Sequence, residues 1–431
     1  MLLGSIGLDF GTTNSSLAVA DANGEVTLAR FATATSSTES FRSILYLDRE
    51  QQGHRNTIRS WAGPLGIDRY LKAEDKGRLI QSLKSFLSSR SLQSTEIFGR
   101  PFKLEQLVAN ILREIRSQAE ERLNVSIKAA VVGRPVRFVG AESEEGDDFA
   151  VSRLSTALRD AGFEHVSFEY EPIAAACHYE STLEREELIL IGDFGGGTSD
   201  FSIVQVGPRY RKHGEGSQRV LGNEGLPLAG DAFDARMIRH LVSPAFGAGT
   251  LLNSHGKLLP VPNWVYFKLE RWHHLSFLRS LETLTVLKSV AAQALEPEKL
   301  QALLYLVQHD LGYQLHQAVQ RAKVTLSTSE RTAFRFYDGD IKVEAEVTRS
   351  EFEQWIGPEL HAIERAVSNL LAKTRVKPEQ IDKVFLTGGS SFVPAVRRVF
   401  ASRFGEEKIR AGDEFTSVAR GLALSGLARP R

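Results

Sequence analysis

The chain has 431 residues, of which 42% are hydrophobic and 25% are charged, a composition typical of a folded globular protein. Basic and acidic residues balance at 53 each, so no net positive charge points to nucleic acid or to an anionic membrane. The single cysteine, Cys177, excludes an intrachain disulfide and is typical of a reducing cytosol. The first residues lack the basic region of a signal peptide, and no apolar run is long enough to span a bilayer, so a cytoplasmic protein is expected.

The first predicted elements are three short apolar strands, "SIGLDF", "SSLAVAD" and "EVTLAR", which are separated by the turns "GTTN" and "ANG". They predict an antiparallel meander around a glycine turn. Apolar residues at helical spacing then predict a helix from about Leu104 to Leu123. The next strand is "AAVVG", and the acidic stretch at 140–148 is interpreted as a surface loop.

The pattern then starts again. "ELILIGDFGGG" predicts a strand that enters a glycine turn, and "SDFSIVQVG" predicts the strand that leaves it. Helices are expected from about Leu275 to Leu326, and "DKVFLTGGSSFVPAVRRVF" predicts a strand, a glycine-serine turn and a helix entered near Pro394. Two halves with the same strand–turn–strand unit, each followed by helices, favour a mixed α/β architecture.

The two glycine turns are candidates for phosphate binding, because a backbone without Cβ atoms can approach an anion closely and point its N–H groups at it. Neither the P-loop pattern nor the dinucleotide-binding glycine pattern occurs. Each turn follows a carboxylate, Asp9 in the first and Asp193 in the second, and Asp200 comes just after the second. Carboxylates beside a phosphate require a cation between them, and Mg²⁺ held largely through water fits that need. The alternative is ordinary turn chemistry.

Glu171 precedes Pro172 in "EYEPIAAACHYE", so we expect Glu171 at the N-cap of a helix. A carboxylate there complements the helix dipole, or it orients a water or a metal shell. Cys177 lies further along the same helix and is interpreted as a packed small residue.

Six segments in order resemble the 70-kDa heat-shock protein (DnaK) family: "LDFGTTNS", "EYEPIAAA", "DFGGGTSD", "LPLAGDAFD", "QRAKVTLS" and "VFLTGGSSFVP". The short length most resembles the YegD-type members. The resemblance implies an α/β fold of the actin-like ATPase (ribonuclease H-like) type, in which two lobes of duplicated βββαβαβα subdomains close on ATP or ADP with Mg²⁺. The first lobe is placed at 1–186 and the second at 187–431, with an enlarged helical insert at about 241–315 and without the C-terminal substrate-binding domain.

The resemblance also implies roles for individual residues. Lys84, Glu171, Asp193 and Thr198 are the implied catalytic residues, and Arg134 and Pro135 are the implied switch that couples nucleotide state to lobe motion. Lys72 and Lys76 lie near Lys84 in the sequence and compete for its role. Mg²⁺ and its waters are assigned to Asp9, Glu171, Asp193 and Asp200. The implied nucleotide-binding residues are Gly11, Thr12, Thr13, Asn14, Gly195, Gly196, Gly197, Thr198, Gly230, Asp231, Lys323, Ser327, Gly388, Gly389, Ser390 and Phe392.

Two features depart from the family pattern. The stretch from Asp231 to Lys323 is longer than the family's by about fifty residues, and it contains "VPNWVYFKLERWHHLSFL", which is interpreted either as a partner surface or as the insert's own core. Phe392 stands where many members have an arginine that stacks on adenine.

The predicted function is therefore an ATP-hydrolysing nucleotide switch of the heat-shock chaperone type. A co-chaperone or nucleotide-exchange protein is the implied partner, with no nucleic acid and no membrane. A small-molecule kinase of the same fold, an actin-like filament protein and a nucleotide sensor with weak hydrolysis are the alternatives.

Overall fold

The structure is a computed structural model that describes residues 3–52, 55–73, 77–210, 219–271, 278, 280–411 and 417–427. The chain forms two compact units. The first comprises Met1–Pro227, Glu364–Ser391 and Arg397–Arg431, and the second comprises Leu228–Ile363 and Phe392–Val396. The predicted lobe boundary between residues 186 and 187 stays a prediction.

Strands are numbered in chain order. They are β1 (Leu3–Asp9), β2 (Asn14–Asp21), β3 (Val26–Leu28), β4 (Phe31–Ala32), β5 (Ser37–Thr38), β6 (Phe41–Arg42), β7 (Ile44–Gln52), β8 (Arg55–Ala62), β9 (Arg78–Gln81), β10 (Ser94–Ile97), β11 (Arg100–Lys103), β12 (Ala129–Arg134), β13 (His165–Tyr170), β14 (Glu187–Phe194), β15 (Ser199–Val206), β16 (Val220–Leu226), β17 (Leu251–Ser254), β18 (Lys257–Pro260), β19 (Arg331–Asp338), β20 (Ile341–Thr348), β21 (Lys383–Thr387) and β22 (Ile409–Ala411).

Helices are numbered in the same way. They are α1 (Gly63–Lys72), α2 (Leu104–Leu123), α3 (Glu144–Asp160), α4 (Glu171–Ser181), α5 (Gly230–Met237), α6 (Trp264–Leu269), α7 (Leu281–Gln293), α8 (Pro297–Gln308), α9 (Gly312–Thr328), α10 (Arg349–Trp355), α11 (Gly357–Thr374), α12 (Pro394–Phe404) and α13 (Ser417–Leu427). A π-helix, Ile238–Val242, extends α5, and short 3₁₀ turns include Leu83–Phe86 and Gly389–Phe392.

The two main sheets of the first unit have the same topology. One has the order β13-β12-β1-β2-β3, with β6 also paired to β2, and the other has the order β16-β15-β14-β21-β22. In each sheet, an antiparallel meander begins with the strand that precedes a glycine turn, and that same strand pairs in parallel with a later strand. The predicted meander at the N-terminus is confirmed, and so is its repetition.

The core of the first sheet is covered by α2 and α3. The predicted apolar stripe of α2, from Leu104 to Leu123, is buried as expected. The stretch 140–148 is not a loop throughout, because α3 begins at Glu144. Acidic side chains in that first turn complement the positive end of the helix dipole. The acidic residues that were interpreted as a loop therefore favour the start of a helix.

Helix α13 lies against β1 and α4 at very short range. A Cβ atom on Gly421 would overlap the carbonyl of Ala174 in α4, and one on Gly7 would overlap the backbone of α13 at Ala419. The absence of side chains at these two positions therefore lets α13 pack directly on the sheet that carries Asp9.

The second unit contains the whole of the predicted insert at 241–315. This segment is helical in α6, α7 and α8, but β17 and β18 form a two-stranded hairpin within it. Residues 272–277 and 279, which include the second tryptophan of "VPNWVYFKLERWHHLSFL", lie outside the described residues. Across the parts of the chain that the structure describes, no helix combines the length and the apolar character needed to cross a bilayer.

Candidate functional site

The first glycine turn joins β1 to β2 and follows Asp9. The Gly11 amide donates to Ser15 Oγ at 3.2 Å, and the Ser15 and Ser43 hydroxyls lie 2.8 Å apart. The Ser43 amide donates to the Thr13 carbonyl at 2.9 Å. A Cβ atom on Gly11 would overlap the Asn14 carbonyl, so the turn is tight enough to require glycine. These contacts hold the turn 10–13 in one conformation.

The second glycine turn joins β14 to β15 and follows Asp193. The Gly195 amide donates to the Thr198 carbonyl at 2.9 Å and closes the turn. Asp193 lies directly opposite Asp200 across the two strands. Two carboxylates thus face each other at the base of the turn, as close cross-strand neighbours.

The two turns meet. A Cβ atom on Gly196 would overlap the side chain of Thr13, whereas one on Gly197 would meet no atom within 4 Å. The structure therefore brings together the two sequence motifs that were predicted to bind phosphate, although about 180 residues separate them in the chain.

Lys84 and Glu171 form an ion pair beside the carboxylates. Lys84 Nζ lies 2.7 Å from Glu171 Oε1, and the two side chains are only 10% and 14% exposed. Lys84 lies in the 3₁₀ turn Leu83–Phe86, which follows Ser82 at a φ of 58°.

Glu171 is the first residue of α4, and Tyr170 is its N-cap, so the predicted N-cap position was one residue too late. Pro172 occupies the second helical position, where it is equally well tolerated.

The alternatives to Lys84 are placed elsewhere. Lys72 lies at the end of α1, where its exposed ammonium pairs with Asp68 at 2.8 Å. Lys76 lies outside the described residues. Of Lys72 and Lys84, Lys84 is therefore the one that lies beside Glu171, and its catalytic role stays a prediction.

The carboxylates of this cluster influence one another strongly. Burial, together with the negative charges of Glu171 and Asp193, raises the pKa of Asp9 to about 8. Burial, with the charges of Asp193 and Glu171, raises the pKa of Asp200 to about 7. Burial and Glu171 also raise the pKa of Asp193. With all four carboxyl groups ionised, the cluster would have more negative charge than one lysine neutralises, and the raised pKa values reflect that excess.

Lys84 is held in its charged form. Burial alone would lower the pKa of its ammonium, but the charges of Glu171 and Asp9 outweigh burial and raise it. Lys84 therefore supplies a fixed positive charge next to four carboxyl groups at neutral pH.

Thr387 is a site residue that the sequence did not single out. It lies at the end of β21, in parallel register with Asp193, and its hydroxyl donates to Asp193 Oδ1 at 2.8 Å. Gly388 follows at a φ of 81°, and a Cβ atom there would overlap the Phe194 carbonyl. The signal that could have identified Thr387 is its place directly before the glycine pair of "VFLTGGSSFVP".

A cleft opens beside this cluster. It is lined by Pro135, Glu171, Asp193, Asp200, Ser202, Asn223 and Thr387, among others. The sequence did not single out Ser202 or Asn223 either, because these two residues become neighbours only through the pairing of β15 with β16. Arg134 ends β12 next to Pro135, and its guanidinium lies 5.1 Å from the centre of the Tyr170 ring. Of the two predicted switch residues, Pro135 thus lines the cleft, and Arg134 precedes it in the chain.

A second group of predicted site residues lies in the second unit. Lys323 Nζ pairs with Asp234 Oδ1 at 2.7 Å and donates to the Gly230 carbonyl at 3.1 Å. Ser327 lies one helical turn further along α9, and its hydroxyl donates to the Lys323 carbonyl. Gly230 begins α5, with Asp231 in its first turn. Asp234 was not a predicted site residue, although it belongs to the same "LPLAGDAFD" motif.

Phe392 is 53% exposed at the end of the turn Gly389–Phe392, where Ser390 is buried. A half-exposed phenyl ring is available to stack on a planar ligand.

Among the residues that the structure describes, no group of three or more His, Cys, Asp or Glu side chains is arranged to bind a metal ion directly. The prediction for Asp9, Glu171, Asp193 and Asp200 was coordination largely through water, and it stays a prediction. The donor set suits Mg²⁺ in its chemistry, since all four ligands are carboxylate oxygens and their mutual repulsion favours an added cation.

The relatives of this chain among known proteins include three that are similar to it at low identity. The chain is 24% identical to the chaperone protein DnaK of Thermosipho africanus, over 97% of this chain and 58% of that protein. It is 25% identical to DnaK of Thermus thermophilus (97% and 60%) and 25% identical to the chloroplastic heat shock 70 kDa protein 7 of Arabidopsis thaliana (97% and 51%). The chain thus spans less than two thirds of the length of these relatives.

A sequence model of one family, described as Hsp70 protein, matches residues 5–250 and 307–428 and leaves 251–306 unmatched. The matched ranges contain every predicted site residue. The chain therefore belongs to the Hsp70 family, and with it to the actin-like ATPase fold that its motifs predicted.

Proposed function

We propose that this protein is a magnesium-dependent ATPase that acts as a nucleotide switch. Members of the Hsp70 family are ATPases. The observation that carries the proposal is the meeting of two glycine turns, through Gly196 and Thr13, beside the Lys84–Glu171 pair. Backbone amides in such turns suit phosphate oxygens, and the adjacent lysine suits the charge that develops on a transferred phosphoryl group.

Each residue has a role in this proposal. Turns 10–13 and 195–198 bind the phosphates, and the Thr12, Thr13 and Thr198 hydroxyls add donors. Lys84 neutralises charge on the terminal phosphate and, with Thr198, positions a water for in-line attack. Glu171 and Thr387 position Lys84 and Asp193 through hydrogen bonds of 2.7 Å and 2.8 Å. Little covalent chemistry falls to the protein, because positioning and charge stabilisation supply most of the acceleration of phosphoryl transfer.

Mg²⁺ would be held by Asp9, Glu171, Asp193 and Asp200, and when bound it would offset the charge of the phosphates. The excess negative charge of these side chains supports this assignment, because burial and mutual repulsion already raise the pKa of three of them. The adenosine residues Gly230, Asp231, Lys323, Ser327, Gly388, Gly389, Ser390 and Phe392 remain assignments from the family motifs. A chaperone role, a co-chaperone or nucleotide-exchange partner and a cytoplasmic location belong to the same proposal.

The test is single-turnover hydrolysis of radiolabelled ATP with Mg²⁺, with binding of a fluorescent ATP analogue measured separately. Lys84→Ala and Asp193→Asn should each lower the hydrolysis rate by about 100-fold or more. Removing a single preorganised group that stabilises transition-state charge has an effect of this size in other enzymes. Lys72→Ala is the matched control, because Lys72 is an exposed lysine near in sequence whose partner is Asp68. Its rate should match that of the wild type.

Two outcomes would contradict the proposal. Wild-type hydrolysis in both Lys84→Ala and Asp193→Asn would remove the site assignment. A large increase in ATP consumption on adding a sugar or another hydroxyl compound would favour the small-molecule kinase instead.

A further inference from the structure

The hairpin β17–β18 lies in 251–306, the stretch that the Hsp70 family model leaves unmatched. The proposed ATPase site uses none of its residues. Many of the large hydrophobic side chains that are exposed on the described surface fall within this stretch: Leu251, Leu258, Leu259, Trp264, Phe267, Leu281, Val286 and Leu295. This concentration requires an explanation, because soluble proteins rarely expose contiguous apolar surface without a partner.

The hairpin has one open edge. β17 pairs with β18 on one side and bridges to Ala294 on the other. Within the described part of the chain, no strand pairs with the outer edge of β18. All four residues of β18 are exposed. An exposed edge strand is a template for another strand, because its outward backbone groups lack partners in the sheet.

The register determines which groups point outward. Ser254 lies opposite Lys257 across a two-residue turn in which His255 and Gly256 have φ of 51° and 80°. The two residues that flank such a turn form a hydrogen-bonded pair. Along an antiparallel ladder, hydrogen-bonded pairs alternate with pairs whose N–H and C=O groups point away from the partner strand. The next residue, Leu258, therefore directs its N–H and its C=O to the open edge. Pro260 has no N–H and limits the edge at its far end.

Side chains on this edge are apolar on both faces. Leu258 and Leu259 are 59% and 45% exposed. Because successive side chains of a strand point to opposite faces, each face of the hairpin presents one leucine. A strand added at this edge would bury both leucines only if it carried apolar residues at matching positions.

The charge of the hairpin and of the residues that follow it, 250–269, distinguishes between possible binding partners. Residues 250–269 contain Lys257 and Lys268 and no acidic residue. The next acidic residue, Glu270, accepts two hydrogen bonds of 2.7 and 2.8 Å from Arg239, which neutralises its charge. A second copy of this chain would bring like charges together, whereas an acidic segment would be attracted.

We propose that the outer edge of β18 binds an extended segment of a partner protein, apolar in its centre and acidic at its ends, as an added antiparallel strand. Leu258 supplies the backbone hydrogen bonds, Leu258 and Leu259 supply the apolar contacts, and Lys257 supplies the charge. Single-stranded nucleic acid fits less well, since two lysines are too few to follow a phosphate backbone, whereas an unpaired backbone edge matches a peptide.

The probe is a fluorescein-labelled peptide, Asp-Glu-Leu-Val-Ile-Val-Asp-Glu, whose binding to the full chain is measured by fluorescence anisotropy. Lys257→Glu should weaken binding at least tenfold, because it replaces attraction by repulsion at an exposed position that leaves folding intact. Lys342→Glu, an exposed strand lysine in the other hairpin β19–β20, is the matched control and should bind like the wild type. The peptide Lys-Lys-Leu-Val-Ile-Val-Lys-Lys should bind at least tenfold more weakly.

Amide hydrogen exchange then localises the contact. Saturating unlabelled acidic peptide should slow exchange at Leu258 and leave Asn253, on the inner strand, unchanged. Unchanged exchange at Leu258, or equal affinity for the acidic and basic peptides, would overturn the proposal. So would binding of labelled oligodeoxythymidine in preference to the peptide, or a concentration-dependent dimer that Leu258→Pro abolishes, since each assigns the edge to a different occupant.

Discussion

The Lys84 ammonium donates a hydrogen bond of 2.7 Å to Glu171, and both side chains are almost buried. This pair joins the 3₁₀ turn Leu83–Phe86 to the start of α4. The positive charge of the lysine also lowers the pKa of Asp9, Asp193 and Asp200, against the burial that raises it. The relationship therefore has two consequences, because it fixes the position of the lysine and it offsets part of the charge of a crowded set of carboxylates.

Removing this lysine should destabilise the protein in the absence of nucleotide. Lys84→Met leaves four carboxylates without their nearest cation, and breaking a buried pair costs about 3–5 kcal/mol. We expect the free energy of unfolding, measured by urea denaturation without Mg²⁺, to fall by about 3 kcal/mol. Lys72→Met removes an exposed ion pair instead and should leave the unfolding curve in place. Equal stability of Lys84→Met and the wild type would show that the pair does not offset the carboxylate charge.

Stability should also depend on pH in a definite direction. The pKa values of Asp9 and Asp200 are raised in the folded protein to about 8 and about 7, from 3.8. The folded state therefore holds protons that the unfolded state has released, so the free energy of unfolding from these groups falls as pH rises from about 4 to about 8. Urea denaturation without Mg²⁺ at intervals between pH 5 and pH 8 measures this slope.

The control for the pH experiment is a substitution that removes one of these groups. Asp9→Asn should flatten the decline between pH 5 and pH 8, because its side chain no longer exchanges a proton. Asp148→Asn, at an exposed position of α3, should keep the wild-type slope. A decline of the same slope in Asp9→Asn would mean that other groups cause it.

Much of this site could be predicted because its chemistry is local. The Asp-Phe-Gly turns at Asp9 and Asp193 contain their own signals, namely an apolar strand, a glycine turn and a carboxylate within a few residues. The repeated unit also predicted the repeated topology, and both sheets indeed share one strand order. The helix Leu104–Leu123 was predictable for the same reason, since its apolar spacing is local.

Other parts depend on long-range pairing and left no local signal. Thr387 reaches Asp193 because β21 lies parallel to β14, a register that no short motif specifies. The contact of Lys84 with Glu171 likewise depends on tertiary packing, so the sequence alone left Lys72 and Lys76 as alternatives to the favoured Lys84. The hairpin β17–β18 lies in the insert 241–315, which was expected to be helical, because its short apolar runs are too brief to distinguish a strand from a helix.

Thr387 should influence the site through Asp193. Its hydroxyl hydrogen bond lowers the pKa of Asp193, so Thr387→Val should raise that pKa further while it preserves side-chain shape. A hydrogen bond to a charged group contributes about 1.5–3 kcal/mol, so we expect single-turnover hydrolysis to slow by about tenfold or more near pH 7. The loss should be larger at pH 6 than at pH 8, because more Asp193 is protonated at the lower pH.

Thr325→Val is the matched control for Thr387→Val. Thr325 donates its hydroxyl to the Arg321 carbonyl on the exposed face of α9, so its loss leaves Asp193 untouched. A rate loss in Thr387→Val that is the same at pH 6 and pH 8 would contradict a role through the protonation of Asp193.

The contact between the two glycine turns can be tested without any ligand. Gly196→Ala places a methyl group where the Thr13 side chain lies, whereas Gly197→Ala places it in open space. Overpacking costs about 1–3 kcal/mol, so Gly196→Ala should lower the thermal unfolding midpoint of the nucleotide-free protein, and Gly197→Ala should not. Thr13→Ala combined with Gly196→Ala should restore part of the loss, because the alanine at position 13 removes the hydroxyl that the new methyl meets. If Gly196→Ala and Gly197→Ala have the same midpoint, the two turns do not touch in solution, and the phosphate site proposed between them loses its structural basis.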